Sequence, residues 1–122
     1  MTSHTREGAV PWPLEDAASY RAQGYWEDRA LGAYILDTAD RFPGKTALVD
    51  GDVRISYGEL IDRMDAAAGR LLELGLRKDD RVLVQLPNCW QFTVLTLACF
   101  RAGIVPVMAL PAHRQFELAY LA

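Results

Sequence analysis

The chain has 122 residues, enough for one ordinary domain or for a piece of a larger one. Apolar residues make up 51% and charged residues 24%, the composition of a folded protein and not of a disordered one. Sixteen acidic residues against thirteen basic ones leave a net charge of −3, which argues against a nucleic-acid binder, since such surfaces collect basic patches that release counterions.

Residues 1–10 read as a flexible tail. They are polar, with no apolar run of the kind a secretory signal needs. Residues 11–29 read as an aromatic N-terminal arm. Pro11-Trp12-Pro13 is stiff and extended, because proline fixes φ and biases its neighbour away from the helical region. Leu14 to Tyr25 is then expected to be helical. Trp12, Tyr20, Tyr25 and Trp26 give this short arm enough aromatic area to pack onto something larger.

Leu31 to Phe42 reads as a helix with Leu31, Ile35 and Leu36 on one side, ended by Pro43-Gly44. Thr46–Val49 and Val53–Ser56 flank Asp50-Gly51-Asp52, which is a hairpin signal. The next helix has the clearest start. Ser56 can cap the amide of Glu59 while Glu59 reaches back, a capping box. Leu60, Ile61, Met64, Ala67, Ala68, Leu71 and Leu74 then recur at spacings of three and four, and Gly75 is the expected stop.

Lys78-Asp79-Asp80 opens a strand from Arg81 to Leu86, closed by Pro87, and Asn88 is placed to cap a helix from Cys89 to Ala102. That helix is apolar nearly all round, so it should be buried on more than one side. Gly103 ends it, and Ile104 to Leu110 reads as a second strand. Strand, helix, glycine and strand make a βαβ unit, right-handed with parallel strands. Pro106 cannot donate to a ladder, so this strand should be irregular or at an edge there. A last helix begins at Arg114 with no C-cap signal.

Chemistry-bearing patterns are sparse. The sequence has no GxGxxG, GxxxxGK[ST], GxSxG or HExxH. His4 lies in the tail and His113 in a loop, so no histidine pair has ligand spacing. Asp37 with Asp40, and Asp62 with Asp65, read as solvated helix faces, while Asp50 and Asp52 fit a turn. His113 and Asn88 each follow a strand of the βαβ unit, where open α/β sheets bind ligands. Their plainer readings are helix-entry and helix-cap residues. Lys45, Lys78 and the doublet Arg77-Lys78, cancelled by Asp79-Asp80, read as exposed loop charge. Cys89 and Cys99, on one helix, would lie about 15 Å apart, beyond disulfide reach. Both then read as small buried thiols of a cytoplasmic protein. Phe92 to Phe100 is too short to span a bilayer.

Two segments carry a resemblance. Ile55-Ser56-Tyr57-Gly58-Glu59-Leu60 resembles the first core motif of the adenylate-forming enzymes. Phe100-Arg101-Ala102-Gly103-Ile104-Val105-Pro106-Val107 resembles the second, with Arg101 at the usual lysine and Pro106 displaced by one residue. Pro43-x-Lys45-x-Ala47 fits between the arm and the hairpin. The pairs Trp12-Pro13 and Tyr20-Arg21, then Gly24-Tyr25-Trp26 and Val105 to Arg114, are similar to the aryl-acid AMP ligases of siderophore biosynthesis, the 2,3-dihydroxybenzoate–AMP ligases and their salicylate relatives.

The resemblance implies an α/β fold in which residues 30–122 form the N-terminal segment of an AMP-binding (adenylation) domain, an incomplete domain. For the full-length enzyme it implies ATP and Mg2+, an aryl acid, and an aryl carrier protein whose thiol receives the aryl group. It implies neither nucleic acid nor membrane. The family's phosphate loop, acid pocket, ribose-binding acid and lid lysine all follow the second motif. No catalytic, cofactor-binding or metal residue can therefore be assigned here, and the 122 residues alone are expected to be inactive. Ser56, Glu59 and Gly103 read as helix caps that hold up the nucleotide-binding domain. The alternatives are a stand-alone, non-enzymatic α/β interaction module, or a segment of an acyl-CoA or amino-acid activating relative.

Overall fold

The helix that begins at Ser56 is the centre of the molecule. In a computed structural model, which describes residues 10–27 and 29–122, it runs as α3 (Tyr57–Glu73) and packs along α4 (Trp90–Ala102), with α2 (Leu31–Arg41) against both. Residues 1–9 of the expected tail, His4 among them, lie outside the described residues. Ser56 accepts from the Glu59 N–H at 3.3 Å, and the Glu59 carboxylate accepts from the Ser56 N–H at 2.8 Å, so the expected capping box is formed.

The hairpin is β1 (Thr46–Asp50) with β2 (Val53–Ser56), antiparallel, with an irregularity in register between Thr46 and Leu48. The βαβ unit is β3 (Arg81–Val84), α4 and β4 (Val105–Met108). Its strands are parallel, with Arg81 opposite Val105 and Val84 opposite Met108. The hairpin and the parallel pair are separate two-stranded sheets. Met64, Ala68 and Leu71 of α3 meet Ala98, Cys99 and Ile104 in one buried cluster, and Ile55, Leu60 and Val94 form a second under the hairpin. Each large side chain buried in this way is worth about 2 kcal/mol. Pro106 costs the ladder nothing. The N–H groups of Val105 and Ala109 donate to Asp80 and Val84 across the pair, so the intervening nitrogen of residue 106 points away from β3.

Glycine ends three helices by the same device. Gly103 (φ 72°) donates to Phe100 O while Ile104 N–H reaches back to Cys99 O at 2.8 Å, and Ile104 and Cys99 share the core cluster. Gly75 (φ 94°) and Leu76 repeat this over Leu72 and Leu71. These are Schellman caps, in which the left-handed residue is nearly free only for glycine. The third sits in the arm and corrects its expected length. Gly24 (φ 75°) and Tyr25 close over Arg21 and Tyr20, so α1 is Leu14–Ala22 and does not reach Tyr25.

Among the described residues the arm packs on itself. Its rings meet each other: Trp12 and Trp26 centroids are 5.5 Å apart, Tyr20 and Trp26 5.3 Å, and Trp12 and Tyr20 6.0 Å. Its junction with the body is polar. Arg29 bridges to Asp37 of α2, and the Tyr34 hydroxyl donates to Glu27 at 3.0 Å. Leu31 departs from expectation as well. It is 67% exposed, and α2 instead buries Gly32, which lies against the backbone of Phe100 and Arg101, and Ala39. Both core strands are shorter than the apolar runs that suggested them. Ile104 is taken by the α4 cap, and beyond Met108 the chain turns at residues 111–112.

Candidate functional site

The carboxyl ends of parallel strands are where an open α/β sheet offers a ligand site, because helices and loops diverge there. Here that edge is made by residues 85–89 after β3 and 109–114 after β4. Gln85 spans the two. Its side-chain amide donates to Leu110 O at 3.0 Å and to His113 O at 2.9 Å. His113 is half-buried, and its Nδ1 accepts from the Leu110 N–H at 3.3 Å. The ring is therefore a structural partner of its own turn. Gln85 was not singled out by any sequence pattern, since nothing local marks a residue whose partners lie about 25 positions away.

Asn88 does not cap α4. The cap position belongs to Cys89, whose side chain makes no capping bond. The first free N–H of the helix, that of Trp90, donates to Oδ2 of Asp50 at the end of β1, at 2.9 Å. A carboxylate at a helix N-terminus answers both the unpaired donors and the positive end of the helix dipole. A cleft of about 340 Å3 lies beside this contact, with Val49, Cys89, Trp90 and Phe92 in its wall. Arg63 from α3 stacks on the Trp90 ring at 4.8 Å. Cys89, expected to be a small buried thiol, is half-buried here, while Cys99 is buried and its thiol is pushed up by desolvation.

Asp37 pairs with Arg29 and Asp65 with Arg101 at 2.8 Å, while Asp40, Asp52 and Asp62 are exposed. Lys45 and Lys78 are exposed. Lys45 lies over the Phe42 ring at 5.8 Å. Glu59 is held below the usual carboxylate range by the Ser56 N–H first and the Ser56 hydroxyl second, with its own cap and no substrate group as the cause. Among the described residues no group of three His, Cys, Asp or Glu side chains could hold a metal ion, and no helix is long and apolar enough to cross a membrane.

A nucleoside triphosphate with its magnesium needs a cradle of backbone amides and an anionic or hydroxyl ligand set. The start of α4 does not fit that group. The Trp90 amide at the start of α4 is answered by Asp50, an anion, which would repel a phosphate there. The arrangement is a scaffold with two braced loops.

Comparison with known proteins places that scaffold. Residues 35–122 match the family described as AMP-binding enzymes. A salicylyl-CoA synthase / salicylate adenylyltransferase of Streptomyces sp is 58% identical over 118 residues, 97% of this chain and 21% of that protein. A salicyl-AMP ligase / salicyl-S-ArCP synthetase of Mycobacterium tuberculosis is 48% identical over 120 residues, 94% of this chain and 21% of that one. A 2,3-dihydroxybenzoate-AMP ligase of Bacillus subtilis is 40% identical, with 93% of this chain and 21% of its own length matched. The apo structure of MbtA from Mycobacterium smegmatis superposes with a TM-score of 0.89 at 46% identity, over 94% of this chain and 22% of that one. The chain thus spans about a fifth of the length of these relatives.

Proposed function

The chain belongs to the AMP-binding enzyme family, and on that premise we propose that it is the N-terminal segment of a ligase that activates an aryl acid, salicylate or 2,3-dihydroxybenzoate, in siderophore biosynthesis. In the first half-reaction the aryl carboxylate attacks the α-phosphorus of ATP and releases pyrophosphate. In the second the aryl group of the adenylate passes to a thiol and AMP leaves. ATP and magnesium are bound by other parts of such an enzyme, and the thiol is that of an aryl carrier protein. The setting of this reaction is the cytoplasm.

One observation carries the aryl-acid reading. The family match begins at residue 35, so the aromatic arm lies outside it. The likeness to the Streptomyces salicylate enzyme covers 97% of the chain and therefore includes the arm. Arm and scaffold are thus matched together in that relative. The role of residues 30–122 in this reading is to brace the domain through α3 and α4, and no residue acts on substrate. The exposed apolar residues along the βαβ unit and beyond it, among them Met108, Leu110 and Phe116, support a fold that continues over them.

A second reading changes only the acceptor. Two relatives, at 58% and 52% identity, are named for CoA products, a salicylyl-CoA synthase and a naphthoate–CoA ligase. Coenzyme A would then replace the carrier thiol.

The coding sequence beyond codon 122 tests the proposal. An open frame that contains a glycine- and threonine-rich phosphate loop supports it, as does the expected absence of salicylate-dependent ATP–pyrophosphate exchange in the chain alone. A stop codon directly after Ala122, or exchange activity in the isolated 122 residues, contradicts it.

A further inference from the structure

The turn that follows β4 is tied from three directions. The His113 N–H donates to Leu110 O at 3.0 Å and closes a four-residue turn with Pro111 in its second position. The Leu110 N–H donates in return to Nδ1 of His113 at 3.3 Å. From the end of β3, the Gln85 amide holds both Leu110 O and His113 O. The helix that leaves this turn, α5 (Gln115–Leu121), fully buries none of its residues. Within the described residues the turn holds its root.

Nδ1 can accept a hydrogen bond only in the neutral imidazole that carries its proton on Nε2. We propose that His113 is a proton-operated latch on the turn 110–113. Neutral, it holds the Leu110 amide and fixes the root of α5. Protonated, it has a proton on both ring nitrogens, can no longer accept, and releases the turn on that side while Gln85 keeps the other.

The charged groups beside the imidazole are Arg114, next in the chain, and Glu117 in the first turn of α5. From β3 the turn is met by the uncharged Gln85. Glu117 accepts from the Arg114 N–H at 2.9 Å and is held below the usual carboxylate range by its own backbone N–H first and by that of Arg114 second. These donors favour its ionised form.

Solution NMR of the whole chain tests this. Long-range nitrogen–proton spectra at about pH 8 should show the Nε2-protonated tautomer of His113. Exchange of the Leu110 amide, corrected for its intrinsic rate, should rise about threefold to tenfold as His113 is protonated toward about pH 5, the range one net hydrogen bond gives. His113→Gln offers an acceptor that does not titrate, so the step should vanish. Gln85→Ala should raise the exchange at both pH values and keep the step. A tautomer protonated on Nδ1, Leu110 protection that is constant through the titration, or a step that survives in His113→Gln overturns the latch.

Discussion

Oδ2 of Asp50 accepts the backbone N–H of Trp90 at 2.9 Å across forty residues of sequence. The hairpin thereby supplies the N-terminal cap of the βαβ helix, which Cys89 leaves without a side-chain cap. Asp50→Ala should lower stability by about 1 kcal/mol, the usual cost of a lost cap, read as the free energy of urea unfolding. Asp50→Asn keeps an acceptor and should lose much less. Equal losses in the two variants would mean that the charge, acting on the helix dipole, and not the cap, is what matters.

Gly103 and Gly69 make a matched pair. Gly103 ends α4 at φ 72°, and a Cβ there would stand 3.0 Å from Cγ of Lys78. Gly103→Ala should cost about 1–2 kcal/mol, from the left-handed backbone with the contact added. Combining it with Lys78→Ala should recover the smaller, steric part only. Gly69 lies inside α3 with open space around it, so Gly69→Ala should stabilise by up to about 1 kcal/mol. Urea midpoints of the four proteins decide the matter.

The Thr96 hydroxyl in α4 is buried and finds no hydrogen-bond partner among the described residues. Thr96→Val keeps the shape and removes the unpaired group. Stability should hold or rise, by up to about 1 kcal/mol. A loss greater than that would show that the hydroxyl is satisfied in solution.

The capping box of α3 has a pH signature. The Glu59 carboxyl is held below its ordinary value in the folded state by the Ser56 N–H and then by the Ser56 hydroxyl. Its contribution is therefore complete above the unfolded value near 4.5 and is lost as pH falls through the lower, folded value. Glu59→Gln should be less stable than the parent at neutral pH, and the gap should narrow below that point. Urea midpoints taken across the acid range check this, and a gap that widens on acidification contradicts it.

What was legible in the sequence was local. Ser56 with Glu59, the Asp-Gly hairpin, and Gly75 and Gly103 as stops are each set by residues within a few positions of one another, and each is present. Gly24 obeys the same rule as Gly75 and Gly103, although the sequence around it suggests a helix through to Tyr25. A run of aromatic residues masked a stop that the glycine alone announced. The features that escaped the sequence are long-range. Asn88 looks like a cap by position, but Asp50 arrives from another sheet and answers the amide. Gln85 has no pattern around it, because its partners lie beyond an entire helix. Leu31 fits the apolar stripe by spacing, but close approach of α2 to α4 is made by Gly32, which turns Leu31 outward. The family was legible because its first two motifs are helix caps, and caps are written in neighbouring residues.

A chimera tests the central claim most directly. The fifth of the Mycobacterium tuberculosis salicyl-AMP ligase that matches this chain is replaced by residues 1–122, and salicylate-dependent ATP–pyrophosphate exchange is measured. If these residues are the scaffold of an aryl-acid ligase, the chimera folds and keeps exchange within about tenfold of the parent, since no catalytic group has been changed. A chimera that folds with the parent's stability and has lost salicylate-dependent exchange contradicts the account.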